Sequence, residues 1–359
     1  MTNYQPTLAD RLLGMIRENI PSAEFRHESM APLARAMQFF APWQAPRSAK
    51  RRIEFADGST SLALRSPLML AAGAAKQARY LSAFASFGFG AVSVGTATLR
   101  ARRGNPLHPR VRTVEEFRAI QNAMGLNNPG IESLVRRIAA QRYDIENEGL
   151  LVGISVAEDP DLLPDESPDG NVLACLAAAW PEADYIELNL SCPNTGHERL
   201  DRAWDRIRRL LGKSSEFRDR QKTKKPFWVK LSPDLSPEVF AMALETVREA
   251  GLTGVILFNT WPAAHGTWPD GTPLAELPEL GRPGLLGGLS GHPLFGRTLD
   301  GIRQAKDLST GLSLIGCGGI ETGSEASDLL EAGAELVQLY SVLAFRWLAA
   351  RRINEELRS

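Results

Sequence analysis

The side chains best suited to chemistry lie where an apolar run turns polar, in Tyr185-Ile186-Glu187-Leu188-Asn189-Leu190-Ser191-Cys192-Pro193-Asn194-Thr195. A thiol, Cys192, stands here between two carboxamides, Asn189 and Asn194. A thiolate can act as a nucleophile or a proton acceptor, and a carboxamide offers both a donor and an acceptor. Because α/β enzymes place such groups at strand tips, we predict that Cys192 is a reactive group at the end of a strand.

Two lysines and further carboxamides follow other apolar runs. Lys76 and Lys230 are hard to explain as surface residues, because a buried ammonium group needs partners. The same set of strand ends contains Asn122 and Asn259 but no cluster of histidines or carboxylates. Metal-assisted hydrolysis and Cys–His acyl transfer are therefore disfavoured. Lysines meet carboxylates and carboxamides meet imide edges, so the set suits a flat, amide-rich, anionic ligand.

Short apolar runs and helical patterns alternate from Pro67 onward, which predicts a (β/α)₈ TIM barrel. The predicted strands are 67–72, 91–97, 150–156, 185–191, 226–232, 253–259, 313–318 and 336–341. The predicted helices are 77–87, 129–142, 171–180, 199–212, 236–250, 293–307, 323–332 and 342–357. An open doubly wound sheet would carry its glycine-rich turn after the first strand, whereas here the Gly-Gly pairs come late, at 287–288 and 318–319. Long loops, 98–128 and 260–292, leave the predicted substrate face.

The late glycines predict a second ligand. Backbone N–H groups of Gly318-Gly319 and Tyr340-Ser341, together with the next helix start, can hold a phosphate. A phosphate there and a planar ring over the barrel mouth indicate flavin mononucleotide (FMN). Lys230 then lies where a cation stabilises a reduced, anionic flavin ring.

The first part of the chain has a different pattern. Residues 7–45 contain two helical repeats of apolar residues, so we predict an N-terminal helical extension over 1–50 and a catalytic barrel over 51–359. One interpretation is a helical cap that packs on the barrel. The other is an interfacial helix pair that contacts a bilayer or admits an apolar molecule. Residues 52–65 predict a β-hairpin around Asp57-Gly58.

Composition excludes several classes of function. The chain has 359 residues, 43% of them hydrophobic, and a net charge of −1, so it lacks the basic excess of a nucleic-acid-binding protein. Its three cysteines have no disulfide or metal-ligand spacing, and we interpret Cys175 and Cys317 as packing residues. Neither a membrane-spanning run nor a signal peptide is expected. We expect a cytoplasmic protein, or one bound peripherally to the inner face of the cell membrane.

From about Pro67 to Arg352 the chain resembles the dihydroorotate dehydrogenase family. The resemblance rests on ten motifs in the family's order. They are Ala72-Gly73-x-x-Lys76, Val94-Gly95-Thr96, Gly104-Asn105-Pro106, Asn122-x-Met124-Gly125-Leu126-Asn127-Asn128, Asn189-x-Ser191-Cys192-Pro193-Asn194-Thr195, Val229-Lys230-Leu231-x-Pro233-Asp234, Asn259-Thr260, Gly287-Gly288-Leu289-Ser290-Gly291, Gly318-Gly319-Ile320 and Val337-Gln338-Leu339-Tyr340-Ser341. Each motif is weak alone, and their shared order makes the resemblance specific.

The resemblance implies oxidation of (S)-dihydroorotate to orotate, a step of pyrimidine biosynthesis. Cys192 and Lys76 are the implied catalytic residues: Cys192 takes the C5 proton while the C6 hydride passes to flavin N5. The implied substrate residues are Lys76, Asn122, Met124, Gly125, Leu126, Asn189, Asn194, Asn259 and Thr260. The implied FMN residues are Ala72, Gly73, Thr96, Ser155, Asn189, Lys230, Ser290, Gly291, Gly318, Gly319, Tyr340 and Ser341. No metal is implied.

The overall motif pattern and the N-terminal extension resemble the membrane-associated, quinone-using class 2. That class normally has serine as its base, whereas a cysteine such as Cys192 belongs to the soluble class 1. A class 2 protein passes electrons to a quinone, through a tunnel that Arg110 and Tyr340 would line here.

Several positions depart from the family, including Ala75, Ser155, Phe258 and Val342. Two further hypotheses follow from them: a flavin-dependent oxidoreductase paralogue acting on a related small ring or enoate, and a non-catalytic binding paralogue that has lost flavin.

Overall fold

A computed structural model describes residues 22, 31–36, 51–55, 60–163, 165–190, 204–264, 266–267, 271, 273–308 and 311–358. Within the predicted N-terminal extension, residues 31–36 are helical. The rest of the predicted helix pair, the Asp57-Gly58 turn, Cys192 and Asn194 lie outside the described residues. The division into an extension and a barrel therefore stays a prediction.

Eight parallel strands close into a barrel, which confirms the (β/α)₈ prediction. In chain order they are β3 (Leu68–Leu70), β4 (Ala91–Ala97), β7 (Leu151–Val156), β8 (Tyr185–Asn189), β9 (Phe227–Leu231), β10 (Gly254–Leu257), β13 (Ser313–Cys317) and β14 (Leu336–Leu339). Each pairs with its neighbours in that order, and β14 pairs with β3 to close the ring. Almost every strand residue is buried, because one side faces the barrel interior and the other faces the helices.

Helices follow the strands and cover the outside of the barrel. The α-helices are Ile131–Ala139, Arg142–Asn147, Pro168–Ala179, Trp204–Asp219, Pro237–Glu249, Phe295–Asp307, Gly323–Ala332, Val342–Phe345 and Ala349–Glu356. The 3₁₀ helices are Leu81–Phe87, Glu115–Phe117, Leu274–Glu276 and His292–Leu294. Five of the predicted helices match a helix of the structure to within three residues at each end. The helix predicted over 199–212 continues to Asp219, where Phe217 packs edge-on against the ring of Trp180.

Two further helix predictions were wrong in detail. The segment predicted as helix 77–87 is a 3₁₀ helix that begins only at Leu81, because Tyr80 adopts a left-handed φ of 54°. The predicted helix 342–357 is broken at Arg346, whose backbone is extended. The Arg346 guanidinium donates to the carbonyl oxygen of Glu321, and Trp347 turns inward and is buried. Tertiary contacts of the side chains therefore override a continuous helical pattern.

Segments of the two long loops, 98–128 and 260–292, pair with each other. They form an antiparallel sheet of four strands, β5 (Val111–Val114), β6 (Ala119–Asn122), β11 (Trp261–Pro262) and β12 (Gly288–Gly291). The strands pair in the order β11-β12-β6-β5, and no sequence pattern predicted this sheet. The sheet gives these loops a fixed backbone, since β6 pairs with both β5 and β12.

The strands β1 (Arg51–Glu54) and β2 (Ser61–Leu64) pair antiparallel, as the hairpin predicted over residues 52–65 requires. Their apolar side chains pack on the barrel interior. Phe55 meets the ring of Trp228 edge-on, with centroids 5.1 Å apart. Above this apolar layer, the interior contains the polar side chains Ser93, Glu187, Lys230 and Gln338. The barrel therefore has an apolar layer next to the hairpin and a buried polar layer beyond it.

Gly153 of β7 tests this packing. A Cβ atom at residue 153 would lie 1.9 Å from the ring of Tyr185, which is fully buried. We expect Gly153→Ala to lower the free energy of unfolding by about 1–3 kcal/mol, the usual cost of overpacking. The measurement is the urea midpoint of unfolding.

Gly212→Ala is the matched control. Gly212 lies inside the helix Trp204–Asp219 with no atom within 4 Å of an added Cβ. The same substitution should raise stability there by up to about 1 kcal/mol, because glycine is a poor helix former. Equal midpoints for the two variants would contradict this account of the core.

Candidate active site

A cavity opens at the carboxyl ends of the barrel strands, with about 1000 Å³ of empty space including the part open to solvent. The antiparallel sheet contributes Asn122 and Ser290 to its wall. Its other lining residues are Ala71, Ala72, Gly73, Lys76, Thr96, Met124, Gly125, Leu126, Asn127, Asn189, Lys230, Phe258, Asn259, Thr260, Leu294, Cys317, Gly318, Gly319, Ile320, Gln338, Leu339, Tyr340 and Ser341. The mixed polar and apolar lining is typical of a site for a small molecule or cofactor.

Four polar side chains from β4, β7, β8 and the end of β10 form a continuous hydrogen-bonded line. Asn259 Nδ2 donates to Asn189 Oδ1 at 3.1 Å, and Asn189 Nδ2 donates to Thr96 Oγ1 at 3.2 Å. The hydroxyls of Thr96 and Ser155 lie 2.9 Å apart. Ser155 is buried behind Thr96, while the other three line the cavity. These bonds fix which way each carboxamide presents its donor and its acceptor.

The Lys76 side chain is held by a residue of the long loop 98–128. Its Nζ donates to Asn127 Oδ1 at 2.6 Å, a charge-assisted bond that orients the ammonium group. The loop Met124-Gly125-Leu126 precedes Asn127, and Asn105 Nδ2 donates to the Ala123 carbonyl at 2.6 Å. Asn127 belongs to one of the family motifs, but no role was predicted for it from the sequence. Its contact with Lys76 joins residues 51 positions apart, which no local pattern indicates.

Lys230 forms the floor of the cavity. It is only 5% exposed, and its Nζ lies 3.1 Å from Gln338 Oε1 and 3.3 Å from Cys317 Sγ. Burial raises the pKa of the Cys317 thiol, and the adjacent Lys230 opposes that shift. Cys317 was interpreted as a packing residue; it is buried, but it also lines the cavity beside the ammonium group.

The polar layer continues below Lys230. Gln338 Nε2 donates to Glu187 Oε1 at 2.5 Å, and the Ser93 hydroxyl donates to the same oxygen. Glu187 is fully buried, and burial raises its pKa while Lys230 and the two donors oppose the shift. The roles of Glu187 and Gln338 were not predicted from the sequence, because one charged or polar residue inside an apolar run gives no sign of where its partner lies.

Glycines let the backbone approach closely on the far side of the cavity. Gly318 and Gly319 have positive φ values of 140° and 79°. A Cβ at residue 319 would lie 2.4 Å from the backbone nitrogen of Phe295, where the helix Phe295–Asp307 begins. Ser341 also lines the cavity. Loop and helix N–H groups at such a junction suit an anion.

Tyr340 joins the cavity to a small apolar cluster. The cluster contains Val111, Ile120 and Met124, with Ala344 packed against it. Burial raises the pKa of the Tyr340 hydroxyl, so it stays protonated near neutral pH. Arg110, the other residue predicted for a quinone tunnel, is buried next to Val111 and donates to the Arg103 carbonyl at 3.2 Å.

The described site residues converge on this one cavity, apart from two that lie just behind its wall. Ser155 lies behind Thr96, and Gly291 follows the lining residue Ser290 and lies against the backbone of Arg118. Cys192 and Asn194 lie beyond Leu190, outside the described residues. The individual roles assigned to all these residues remain predictions.

The described residues hold no group of three or more histidine, cysteine, aspartate or glutamate side chains that could bind a metal ion. Among the helices that the structure describes, none is long and apolar enough to cross a membrane.

Comparison with known proteins identifies the family. Residues 58–359 match the family model described as dihydroorotate dehydrogenase. The chain is 35% identical over 290 residues to dihydroorotate dehydrogenase (quinone) of Bordetella pertussis, covering 79% of each chain. It is 36% identical over 293 residues to the protein of that name from Stenotrophomonas maltophilia, covering 79% of this chain and 78% of the other.

Solved structures give the same result. The ferulenol complex of DHODH from Eimeria tenella superposes with a TM-score of 0.80 at 25% identity, covering 98% of this chain and 94% of that one. The ligand-free structure from the same organism superposes with a TM-score of 0.79 at 26% identity, with 93% of each chain covered. Sequence motifs, barrel, cavity and these relatives lead to one conclusion: this chain belongs to the dihydroorotate dehydrogenase family.

Proposed function

We propose that this chain oxidises (S)-dihydroorotate to orotate with FMN bound in the cavity, and passes the electrons to a quinone. The observation that carries the proposal is the meeting of Lys76–Asn127 and Asn189–Asn259 around one cavity. An oriented ammonium group suits the carboxylate of dihydroorotate, and the carboxamides suit its ring N–H and C=O groups. Quinone use is the activity named for the bacterial relatives.

The described residues fit FMN, and the family is flavin-dependent in general. A phosphate would be held by backbone N–H groups at Gly318-Gly319 and by Ser341, where an added Cβ at residue 319 would clash with the helix start. The isoalloxazine ring would lie over Lys230, whose buried ammonium favours added negative charge. Gly73, whose positive φ of 107° suits glycine, adds no side chain to the cavity wall that would face the flavin.

FMN, when bound, supplies a hydride acceptor for the carbon next to the substrate carboxylate. Side chains of the protein bind the substrate and remove its proton. We propose that Lys76 holds the carboxylate, that Asn122, Asn189, Asn194 and Asn259 hold the ring amides, and that Cys192 removes the proton from C5. A base held beside a fixed carbon acid contributes about 10²–10⁴-fold to such a reaction.

The apolar cluster beside Tyr340 is the proposed approach for the quinone. Val111, Ile120 and Met124 give it an apolar wall, and Arg110 supplies a cation next to Val111 for a carbonyl oxygen. Residues 7–45 would then rest peripherally on the inner face of the cell membrane, where a quinone is dissolved.

Removal of the Lys76 ammonium tests substrate binding. We expect Lys76→Met to weaken orotate binding by roughly 10- to 150-fold, since a hydrogen bond to a charged group contributes about 1.5–3 kcal/mol. FMN content should not change, because the proposed flavin contacts lie elsewhere. The measurements are the flavin absorbance band and an orotate titration of it.

Lys222→Met is the control, since Lys222 is exposed beyond the helix Trp204–Asp219. Orotate should bind this variant as it binds the unaltered protein. If Lys76→Met bound orotate equally well, the proposed carboxylate site would be wrong.

The proposed base predicts a pH profile. A free thiol has a pKa near 8.5, so the rate at which dihydroorotate bleaches the flavin should rise with pH until the Cys192 thiol has ionised. Cys192→Ala should be about 10²–10⁴-fold slower while keeping its flavin. Stopped-flow absorbance across the pH range measures both.

Cys175→Ala serves as the thiol control. Burial raises the pKa of Cys175 to about 12, so it stays a thiol over the whole range, and it lies in the helix Pro168–Ala179. Its profile should match that of the unaltered protein. A Cys192→Ala variant with an unchanged rate and profile would exclude Cys192 as the base.

A further inference from the structure

The buried polar layer below the cavity connects a cation to an anion through one carboxamide. Gln338 Oε1 accepts from Lys230 Nζ at 3.1 Å, and Gln338 Nε2 donates to Glu187 Oε1 at 2.5 Å. The opposite amide orientation would point the NH₂ group at an ammonium and the carbonyl at a carboxyl oxygen. The two charged neighbours therefore determine the orientation of the Gln338 amide, and this amide connects Lys230 to Glu187.

Glu187 is an unusual residue for this position. It is 0% exposed, and only its Oε1 is satisfied, by Gln338 and by the Ser93 hydroxyl. Among the described residues, its Oε2 has no hydrogen-bond partner and is inaccessible to solvent. An unsatisfied buried carboxylate oxygen costs free energy, and burial raises the pKa of Glu187, so the protonated form is favoured more than it would be in water.

The polar and titratable side chains that face Glu187 come from its own strand, β8, and from four other barrel strands. Tyr185 lies two residues before Glu187 on β8, and its hydroxyl is 2.9 Å from Ser93 Oγ of β4. Lys230 of β9 and Cys317 of β13 complete the titratable set, and Gln338 comes from β14. Burial raises the pKa of both Tyr185 and Cys317, so near neutral pH these two stay neutral. Lys230 and Glu187 are therefore the two groups that decide the net charge of this layer.

We propose that Glu187 is a positioning residue for the bound flavin: acting through Gln338 on Lys230, it sets the charge of the cavity floor and gains a proton when the flavin is reduced. With Glu187 ionised, the Lys230–Glu187 pair is neutral; with Glu187 protonated, the floor carries one positive charge. Negative charge on a ring over Lys230 favours the second state. Each two-electron reduction then draws one additional proton from solvent to Glu187.

This inference rests on the proposed FMN site, and its test is the reduction potential of the bound flavin as a function of pH. One additional proton per two electrons changes the equilibrium constant tenfold per pH unit, which is about 30 mV per unit. The potential of the unaltered protein should fall by that much more per unit than that of Glu187→Gln, over the range where Glu187 ionises.

The direction of the difference in reduction potential distinguishes the ionised from the protonated form of Glu187. A carboxylate below the ring opposes reduction, so Glu187→Gln should match the unaltered protein at low pH and have the higher potential at high pH. Ser93→Ala keeps the Glu187 carboxyl but removes one hydrogen-bond donor to the carboxylate, which raises the pKa of Glu187 further. The pH range in which the reduction potential falls most steeply should therefore move to higher pH in this variant. Ser93→Ala also provides the test if Glu187→Gln does not fold. Potentials that are independent of both substitutions at every pH would overturn the inference.

The flavin is reduced here with dithionite or at an electrode rather than with dihydroorotate. A protein whose flavin dithionite reduces with the predicted pH dependence, but dihydroorotate does not, would contradict the proposed function and support the role of Glu187. A reduced-minus-oxidised infrared difference spectrum should contain the band of a protonated carboxyl that Glu187→Gln lacks. Its presence in both proteins would assign the proton to another group.

The pH dependence of unfolding checks the same carboxyl without any flavin. The pKa of Glu187 is raised in the folded protein, so its contribution to stability is full below the unfolded pKa of about 4.3 and is lost as pH rises through the folded value. Relative to Glu187→Gln, the unaltered protein should therefore lose stability as pH rises above about 4.3. Urea midpoints at several pH values measure this, and a constant difference would contradict a raised pKa.

Discussion

Closure of the parallel barrel is the constraint on which the other features depend. Eight parallel strands that pair in a ring leave no free edge and bring all eight carboxyl ends to one rim. Residues distant in sequence are thereby placed side by side, as Thr96, Asn189 and Asn259 are. The long excursions can then pair with each other as a second sheet over this rim, and they add Asn122 and Ser290 to the cavity wall.

A second consequence of closure is that the barrel interior is buried, and this interior contains two ionisable side chains, Lys230 and Glu187. Aromatic and aliphatic side chains fill the end next to the hairpin, where Phe55 and Trp228 meet. The next layer contains Lys230 and Glu187, although burying either group alone is costly. A pair joined by Gln338 reduces that cost and leaves an ammonium group directed at the cavity. A core built only for stability would do as well with apolar residues here, so the pair is better explained by function.

The sequence predicted the barrel well because short apolar runs buried on both faces give a strong local signal. It did not predict the antiparallel sheet, since β11 has only two residues and Leu289 pairs with Gln121, far away in the chain. Site residues that carry a motif, such as Lys76 and Asn259, were found by their position after a strand. Asn127 and Glu187 were not, because their importance lies in side-chain contacts with Lys76 and, through Gln338, with Lys230. The break at Arg346 has the same origin, as its guanidinium is held by the Glu321 carbonyl.

The central claim is that the Lys76, Asn189 and Asn259 side chains hold dihydroorotate for oxidation by a flavin over Lys230. The most direct measurement is a single turnover without oxygen or quinone, in which dihydroorotate is mixed with the purified protein and both flavin reduction and orotate are quantified. The account predicts one orotate formed for each flavin reduced. A flavin that dithionite reduces but dihydroorotate does not, with no orotate formed, would contradict it.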